Sequence, residues 1–481
     1  MQEGDTWGRI AAKFRVPVLL LWRANGVTNP ARLEKGQRLF IPSADAEPRG
    51  DILVFEVKDD SSTLWAALGS GASLISLLYL NSIASPAEAF GQVLYAPDVS
   101  DAVRAIVAAQ PPEPASNEDN GGDDRDDDDG DDESGPPPEG ALIRSRMGIQ
   151  GHFLIADDEL RQQMLDMAAY DIGFGWIKQQ VRWDEFEWLR GNYSEEMLQA
   201  LDKFVHDAYQ RDMRILLSIA HAPDWARSTT EEDGPPVDYN DYYNFIGFIV
   251  ARYKYMLSAI EVWNEPNLGR EWRGAPLNGG EYVRLLAGAY DRVKREYPEG
   301  NLTVVSAGLA PTGVSDGVNA VDDRTFLRQM YEAGVENYAD AIGIHPYGWA
   351  PSHNDHPTFF FLNTIEDYRA IQAQFGGVRP FWATEFGWGT MDGLDRPVPA
   401  EAPFFSYVNQ GQQGEYIVEA YRMAQEWDFM GPMFLWNFNI AALPDLDSSQ
   451  SGYSLLRANE SGEPYPRLAY ESLRDAPKTD T

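Results

Sequence analysis

Beyond residue 141 the chain alternates short apolar runs with stretches in which apolar residues recur every three or four positions. Eight runs read as strands: "RMGIQGHF" from Arg146, "WIKQQVRW" from Trp176, "RILLSIAHAP" from Arg214, "AIEVWNEPN" from Ala259, "LTVVSAGLAP" from Leu302, "ADAIGIHPYG" from Ala339, "PFWATEFGWG" from Pro380 and "GPMFLWNFN" from Gly431. Between them the period changes to that of a helix. In "SEEMLQALDKFVHDAYQRD", Met197, Leu201, Phe204, Val205 and Ala208 share one face, and Ser194 is placed as the N-cap. Eight such units predict an α/β fold, a (β/α)8 TIM barrel over 142–475. An open doubly wound sheet would carry a Gly-rich phosphate loop after its first strand, and "GHFLIADD" is not one.

The N-terminal region has a different rhythm. Sliding the chain by 55 to 56 residues sets Thr6, Leu19, Leu21, Asn25, Gly36, Gln37, Leu39 and Pro42 opposite Ser62, Ile75, Leu77, Asn81, Gly91, Gln92, Leu94 and Pro97. Each copy reads as two helices and a short strand. The first copy, 1–43, with Gly4-Asp5-Thr6 and the Asn29-Pro30 turn, resembles a LysM module along nearly its whole length. The second, 52–98, is LysM-like but lacks both signatures, so two small α/β modules are expected before the barrel. The resemblance implies recognition of an N-acetylglucosamine polymer, peptidoglycan or chitin. The second copy opens with the strand "ILVFEVKDD", and the offset leaves the first copy without its equivalent. A strand-forming segment and an export signal are therefore expected upstream, which places the protein outside the cell or on its wall.

The two regions are joined by 99–141, whose stretch 111–140 carries thirteen acidic residues and no aromatic or large aliphatic side chain. Such a segment cannot build a core and reads as an extended linker. It lacks the spacing of an EF-hand calcium loop. The formal charge of −36 argues against nucleic acid or an anionic surface as partner, and no apolar run reaches membrane-spanning length. The absence of cysteine rules out disulfides and thiol chemistry. With 14 Trp and 23 Tyr the chain is rich in flat rings that suit sugar faces as well as a large core.

In a TIM barrel the site forms at the C-terminal ends of the strands. Those ends carry Arg182, His221, Asn264 with Glu265, His345 with Tyr347, Glu385 and Trp436. Glycosidic cleavage needs an acid for the leaving oxygen and a carboxylate at the anomeric carbon, and two glutamates meet both needs without metal or cofactor. Neighbouring residues on a strand face opposite ways, so Asn264 and Glu265 can act together only where the strand bulges or ends, and Pro266 supplies an ending.

At these residues the barrel resembles the clan of retaining β-glycosidases that includes the cellulase-like and β-xylosidase-like families. The resemblance implies that Glu265, in Asn-Glu-Pro, is the acid/base and Glu385 the nucleophile. It places Asn264 on the sugar 2-hydroxyl and lets Tyr347 steady the nucleophile. His345, Arg182 and His221 then line the site, and Trp436 forms an aromatic floor. A raised Glu265 pKa is expected beside an ionised Glu385. Trp183, Trp188, Trp225, Trp272, Trp349 and Trp388 lie in or beside long loops and are candidates for stacking on sugars. His353 and His356 flank Asp355 but have no evident third ligand, so no metal site is expected there. The leading expectation is a retaining glycosidase acting on a neutral β-linked polysaccharide and held at a wall by its LysM region. The rival is a non-catalytic carbohydrate-binding protein, against which retention of both glutamates counts.

Overall fold

The computed structural model describes residues 52–56, 93–97, 140–155, 157–298, 300–348, 361–399, 402–443 and 448–480. The chain divides into two units, 1–130 and 131–481. In the first, strands Ile52–Glu56 and Val93–Pro97 pair antiparallel, with Ile52 opposite Pro97 and Glu56 opposite Val93. These strands stand at the two ends of the second repeat. The helices expected of both repeats, and the linker as far as residue 139, lie outside the described residues.

The second unit is a barrel of eight parallel strands: β1 (Met147–Gln150), β2 (Trp176–Arg182), β3 (Arg214–Ala220), β4 (Ala259–Val262), β5 (Thr303–Ser306), β6 (Ile342–Ile344), β7 (Phe381–Phe386) and β8 (Met430–Trp436). Each falls within one of the eight apolar runs or within a residue of it. The ladder runs from β5 through β1 and β8 to β6. A parallel bridge between Val305 and Ala341 closes the ring. Every β3 residue after Arg214 is buried, as expected of a strand covered on both faces.

The helices following the strands are α1 (Asp158–Asp166), α2 (Glu195–Tyr209), α3 (Tyr239–Tyr253), α4 (Gly279–Glu296), α5 (Asp323–Glu332), α6 (Phe361–Gln374), α7 (Gln410–Gln425) and α8 (Leu468–Asp475). Ser194 caps α2 by accepting from Met197 N at 3.3 Å, and Leu201, Phe204, Val205 and Ala208 are buried. Short strands outside the barrel were not legible in the pattern, among them the antiparallel pair Leu456–Ala458 and Pro464–Pro466. Lys478–Thr479 pairs in parallel with Leu142–Ile143, and two residues are too few to show a period.

The barrel interior is tiered. Trp176, Leu216, Ala259, Val305, Ala341, Trp382 and Phe434 form a buried apolar floor, with the Trp176 and Trp382 rings edge to face at 5.1 Å. Two residues further along their strands, on the same inward phase, stand Lys178, Ser218, Glu261 and Thr384, all fully buried. Above this polar tier the strands open into the mouth.

Candidate active site

The two glutamates reach the mouth by different breaks in strand geometry. β4 ends at Val262, and the backbone then turns left-handed at Trp263 (φ 76°) and Glu265 (φ 40°). Such angles are uncommon for residues with a Cβ and persist only where the surroundings impose them. The surroundings here are firm. Trp263 N donates to Ile219 O at 3.0 Å, and Glu265 N donates to Gly308 O at 3.1 Å. Buried Asn267 donates to the carbonyls of Ala310 and Val321 and accepts from Ala310 N. The ladder therefore stops ahead of Pro266, because left-handed Trp263 turns the chain out of the sheet. At β7 the register with β8 jumps from Ala383–Met433 to Phe386–Leu435, three residues against two. This bulge lets Glu385 enter the mouth while Phe386 packs outward against Phe361 and Tyr421.

One oxygen of Glu265, one of Glu385 and a ring nitrogen of His345 all lie within 4.8 Å of one another. His345 Nδ1 is 3.1 Å from Glu265 Oε1 and 3.7 Å from Glu385 Oε2. The Tyr347 hydroxyl donates to Glu385 Oε2 at 2.7 Å, and Lys178 Nζ is 3.6 Å from Glu385 Oε1. Arg270 approaches Glu265 Oε2 at 3.3 Å. The absence of a side chain at Gly308 makes room for the histidine, since a Cβ there would come within 2.1 Å of the His345 ring. The spacing of the three donor atoms would also suit a cation, yet each already engages a neighbour and the network itself accounts for their approach.

Electrostatics qualify the expected pKa. Burial pushes the Glu265 carboxyl up, but the hydrogen bond and charge of His345, with Arg270 and Lys178, outweigh it and hold the group below its ordinary value. Burial opposes the His345 imidazolium, while Glu385 and Glu265 raise its proton affinity above the ordinary value. These directions run against the raised Glu265 that two carboxylates alone would give, and their cause is the His345 ring bonded to Glu265. Burial, reinforced by Glu385, raises the Tyr347 hydroxyl well above its usual value and keeps it a donor.

The other expected residues divide. Asn264 is buried beside Glu265, and its Oδ1 has no hydrogen-bond partner. Half-buried Trp436 packs against the buried cluster of Met391, Ala402, Phe405 and Tyr453 and meets the His152 ring edge to face at 5.8 Å. Arg182 and His221 converge on Asp233, at 3.7 and 2.9 Å, and Arg182 also pairs with Asp184 at 3.0 Å. The β2 side chain that reaches Glu385 is Lys178. Of the tryptophans considered for stacking, Trp183, Trp272 and Trp388 are core residues, Trp225 is half-buried and Trp188 is 65% exposed. Trp349, His353, Asp355 and His356 lie outside the described residues.

Sequence reasoning missed Lys178, Glu261, Asp233, Arg270 and Glu271. Glu271 is 4.0 Å from His221 and 3.6 Å from Arg270. Burial pushes its carboxyl up to about 7, against the pull of His221 and with added repulsion from Glu265. A signal for two of these residues was present, since Lys178 is a charge in the interior of the strand "WIKQQVR" and Glu261 is the lone charge in the buried strand "AIEV".

Comparison with known proteins agrees with this architecture. A LysM domain model matches residues 2–42. No curated protein matches the chain. A family 39 glycoside hydrolase from the gut symbiont Bacteroides cellulosilyticus WH2 has a TM-score of 0.51 at 19% identity, over 70% of this chain and 64% of its own. The chain thus spans less than two thirds of that enzyme's length. A GH5_18 from Streptomyces cattleya in complex with GlcNAc gives 0.51 at 13% identity over 70% and 80% of the two chains. A GH5_18 from Bifidobacterium longum subsp. infantis gives 0.50 at 14% over the same shares. At these identities the likeness is one of fold. The cellulase model, glycosyl hydrolase family 5, matches residues 145–412, more than half of the 481 residues, and the chain belongs to that family.

Proposed function

We propose that the protein is a retaining glycosidase of β-linked glycans, with Glu385 as nucleophile and Glu265 as acid/base. The observation that carries this reading is the approach of one oxygen from each glutamate to within 4.8 Å. Carboxyl groups about 5–5.5 Å apart suit direct attack, whereas inverting enzymes hold them about 6.5–9.5 Å apart to admit a water. In the first step a Glu385 oxygen bonds to the anomeric carbon as the glycosidic C–O bond breaks. The leaving oxygen takes the proton held in the Glu265–His345 pair. In the second step ionised Glu265 removes a proton from water, whose oxygen displaces Glu385 and restores the carboxylate. In this reading Tyr347 holds Glu385 Oε2, and Asn264 offers its unpartnered buried Oδ1 to a sugar hydroxyl. Half-buried Trp436 offers a ring to the sugar face.

The modules at 1–43 and 52–98, the linker at 99–141 and the barrel at 142–475 fit an enzyme tethered by its LysM region to peptidoglycan or chitin, outside the cell. The chemistry is tested by following product anomers by NMR on a panel of β-glucans, xylans, mannans, galactans and amino-sugar polymers. Release of the β-anomer first supports double displacement, and first release of the α-anomer refutes it. The tether is tested by retention of the full chain on either insoluble polymer. Deleting residues 1–110 should abolish that retention, and retention equal to that of an unrelated protein counts against it.

A further inference from the structure

Two charges inside the barrel take no part in the reaction as drawn. Lys178 on β2 and Glu261 on β4 are fully buried and form an ion pair at 2.7 Å. Such a pair is poor evidence of a stability role, because dehydrating two charges offsets most of their attraction and an apolar pair of similar volume often does as well. Its retention inside the polar tier calls for another reason, and the neighbours supply one. Lys178 Nζ also donates to Thr384 O at 3.0 Å and lies 3.6 Å from Glu385 Oε1, the oxygen that Tyr347 leaves free. Glu261 Oε1 accepts from Gly308 N at 3.2 Å, and the Gly308 carbonyl accepts from Glu265 N.

We infer that Lys178 is a positioning residue for Glu385, and that Glu261 sets how strongly it acts. The inference rests on the reading of Glu385 as nucleophile. An attacking carboxylate has two conflicting needs: a nearby cation to keep it ionised, and a lone pair not consumed by that cation. Glu261 draws the ammonium to itself, and Glu385 is left within ion-pair reach but beyond hydrogen-bond length. The remaining groups facing Glu385 are Glu265 across the cleft, His345 and the Tyr347 hydroxyl, so Lys178 is the one described neighbour that is a cation independently of the Glu265–His345 proton. Burial pushes the Glu261 carboxyl up, but Lys178 and His345 outweigh it and hold it below its ordinary value, so it remains the counter-ion.

The two members of the pair should therefore act on the pH profile with opposite sign. In Lys178→Met the Glu385 carboxylate loses the cation beside it, so the acid limb of kcat/KM moves to higher pH. In Glu261→Gln, which keeps an acceptor for Gly308 N, the ammonium turns to Glu385 and the acid limb moves to lower pH. Lys178→Met leaves Glu261 buried and unpaired, which can cost the fold. The double variant Lys178→Met/Glu261→Gln removes both charges, and should recover a Tm close to that of the wild type while keeping the upward limb shift. The experiment measures these profiles on full-length protein with an aryl β-glycoside that the wild type cleaves, alongside azide rescue of Glu385→Ala. Opposite shifts in the single variants and an upward shift in the double support the inference. Shifts of the same sign, or a wild-type limb in the double, overturn it. Failure of azide rescue with the limbs moving as expected would instead remove the nucleophile assignment.

Discussion

The ends of β4 and β7 each deliver one glutamate, by different means and into different surroundings. Glu265 follows a left-handed turn and shares its charge with His345 and with Arg270, whose side chain is 65% exposed. Glu385 sits in a bulge within a strand, against the Tyr347 hydroxyl and the fully buried Lys178. The difference matches the proposed division of labour. An acid/base must exchange protons with water and leaving group, which favours a partner at the rim. A nucleophile must return to one position each cycle, which favours partners that cannot move.

The most direct way to break the comparison is at Glu385. Glu385→Ala should nearly abolish turnover, and azide should restore part of it as the glycosyl azide of inverted configuration. Wild-type-like activity in that variant would end the assignment. Glu265→Ala should lose roughly 10²–10⁴-fold on natural glycosides, the usual worth of general acid help. It should lose far less in the glycosylation step of aryl glycosides with good leaving groups, and equal losses on both would count against the role. Tyr347→Phe removes one hydrogen bond to a carboxylate, worth about 1.5–3 kcal/mol, and should lower kcat/KM roughly ten- to a hundredfold. An unchanged rate would show that the bulge alone holds Glu385.

A smaller effect would sharpen the contrast at the rim. Arg270→Gln removes one of the groups that depress Glu265, behind the buried His345 bond. The carboxyl should then keep its proton to higher pH, so the basic limb of kcat/KM moves up, and a downward move would contradict the stated cause. The smallest effect is expected at Trp188, an exposed ring on a loop tied by Trp183 Nε1 and Gly191 N to the Glu187 carboxylate, each at 2.7 Å. Trp188→Ala should raise KM for long oligosaccharides and leave short aryl glycosides unaffected. Equal effects on both would remove it from substrate binding.

The eight βα units were legible because a strand buried on both faces must be almost wholly apolar and a covering helix must repeat every three to four residues. Both are local constraints that one chain records in order. The Asn-Glu-Pro motif and the second glutamate were legible for a related reason, since charge at the end of an apolar run is unusual wherever it occurs. Tertiary structure decided which charges meet. Lys178 and Arg182 share one strand phase, yet one reaches Glu385 and the other pairs with Asp184 and Asp233. Trp188 and Trp183 are five residues apart, yet one is exposed and the other is core. The parity of Glu385 was reset by a bulge visible only in the pairing of β7 with β8. A period gives the face on which a residue stands, whereas contact across a barrel depends on the register of distant strands and on backbone irregularities that no local pattern encodes.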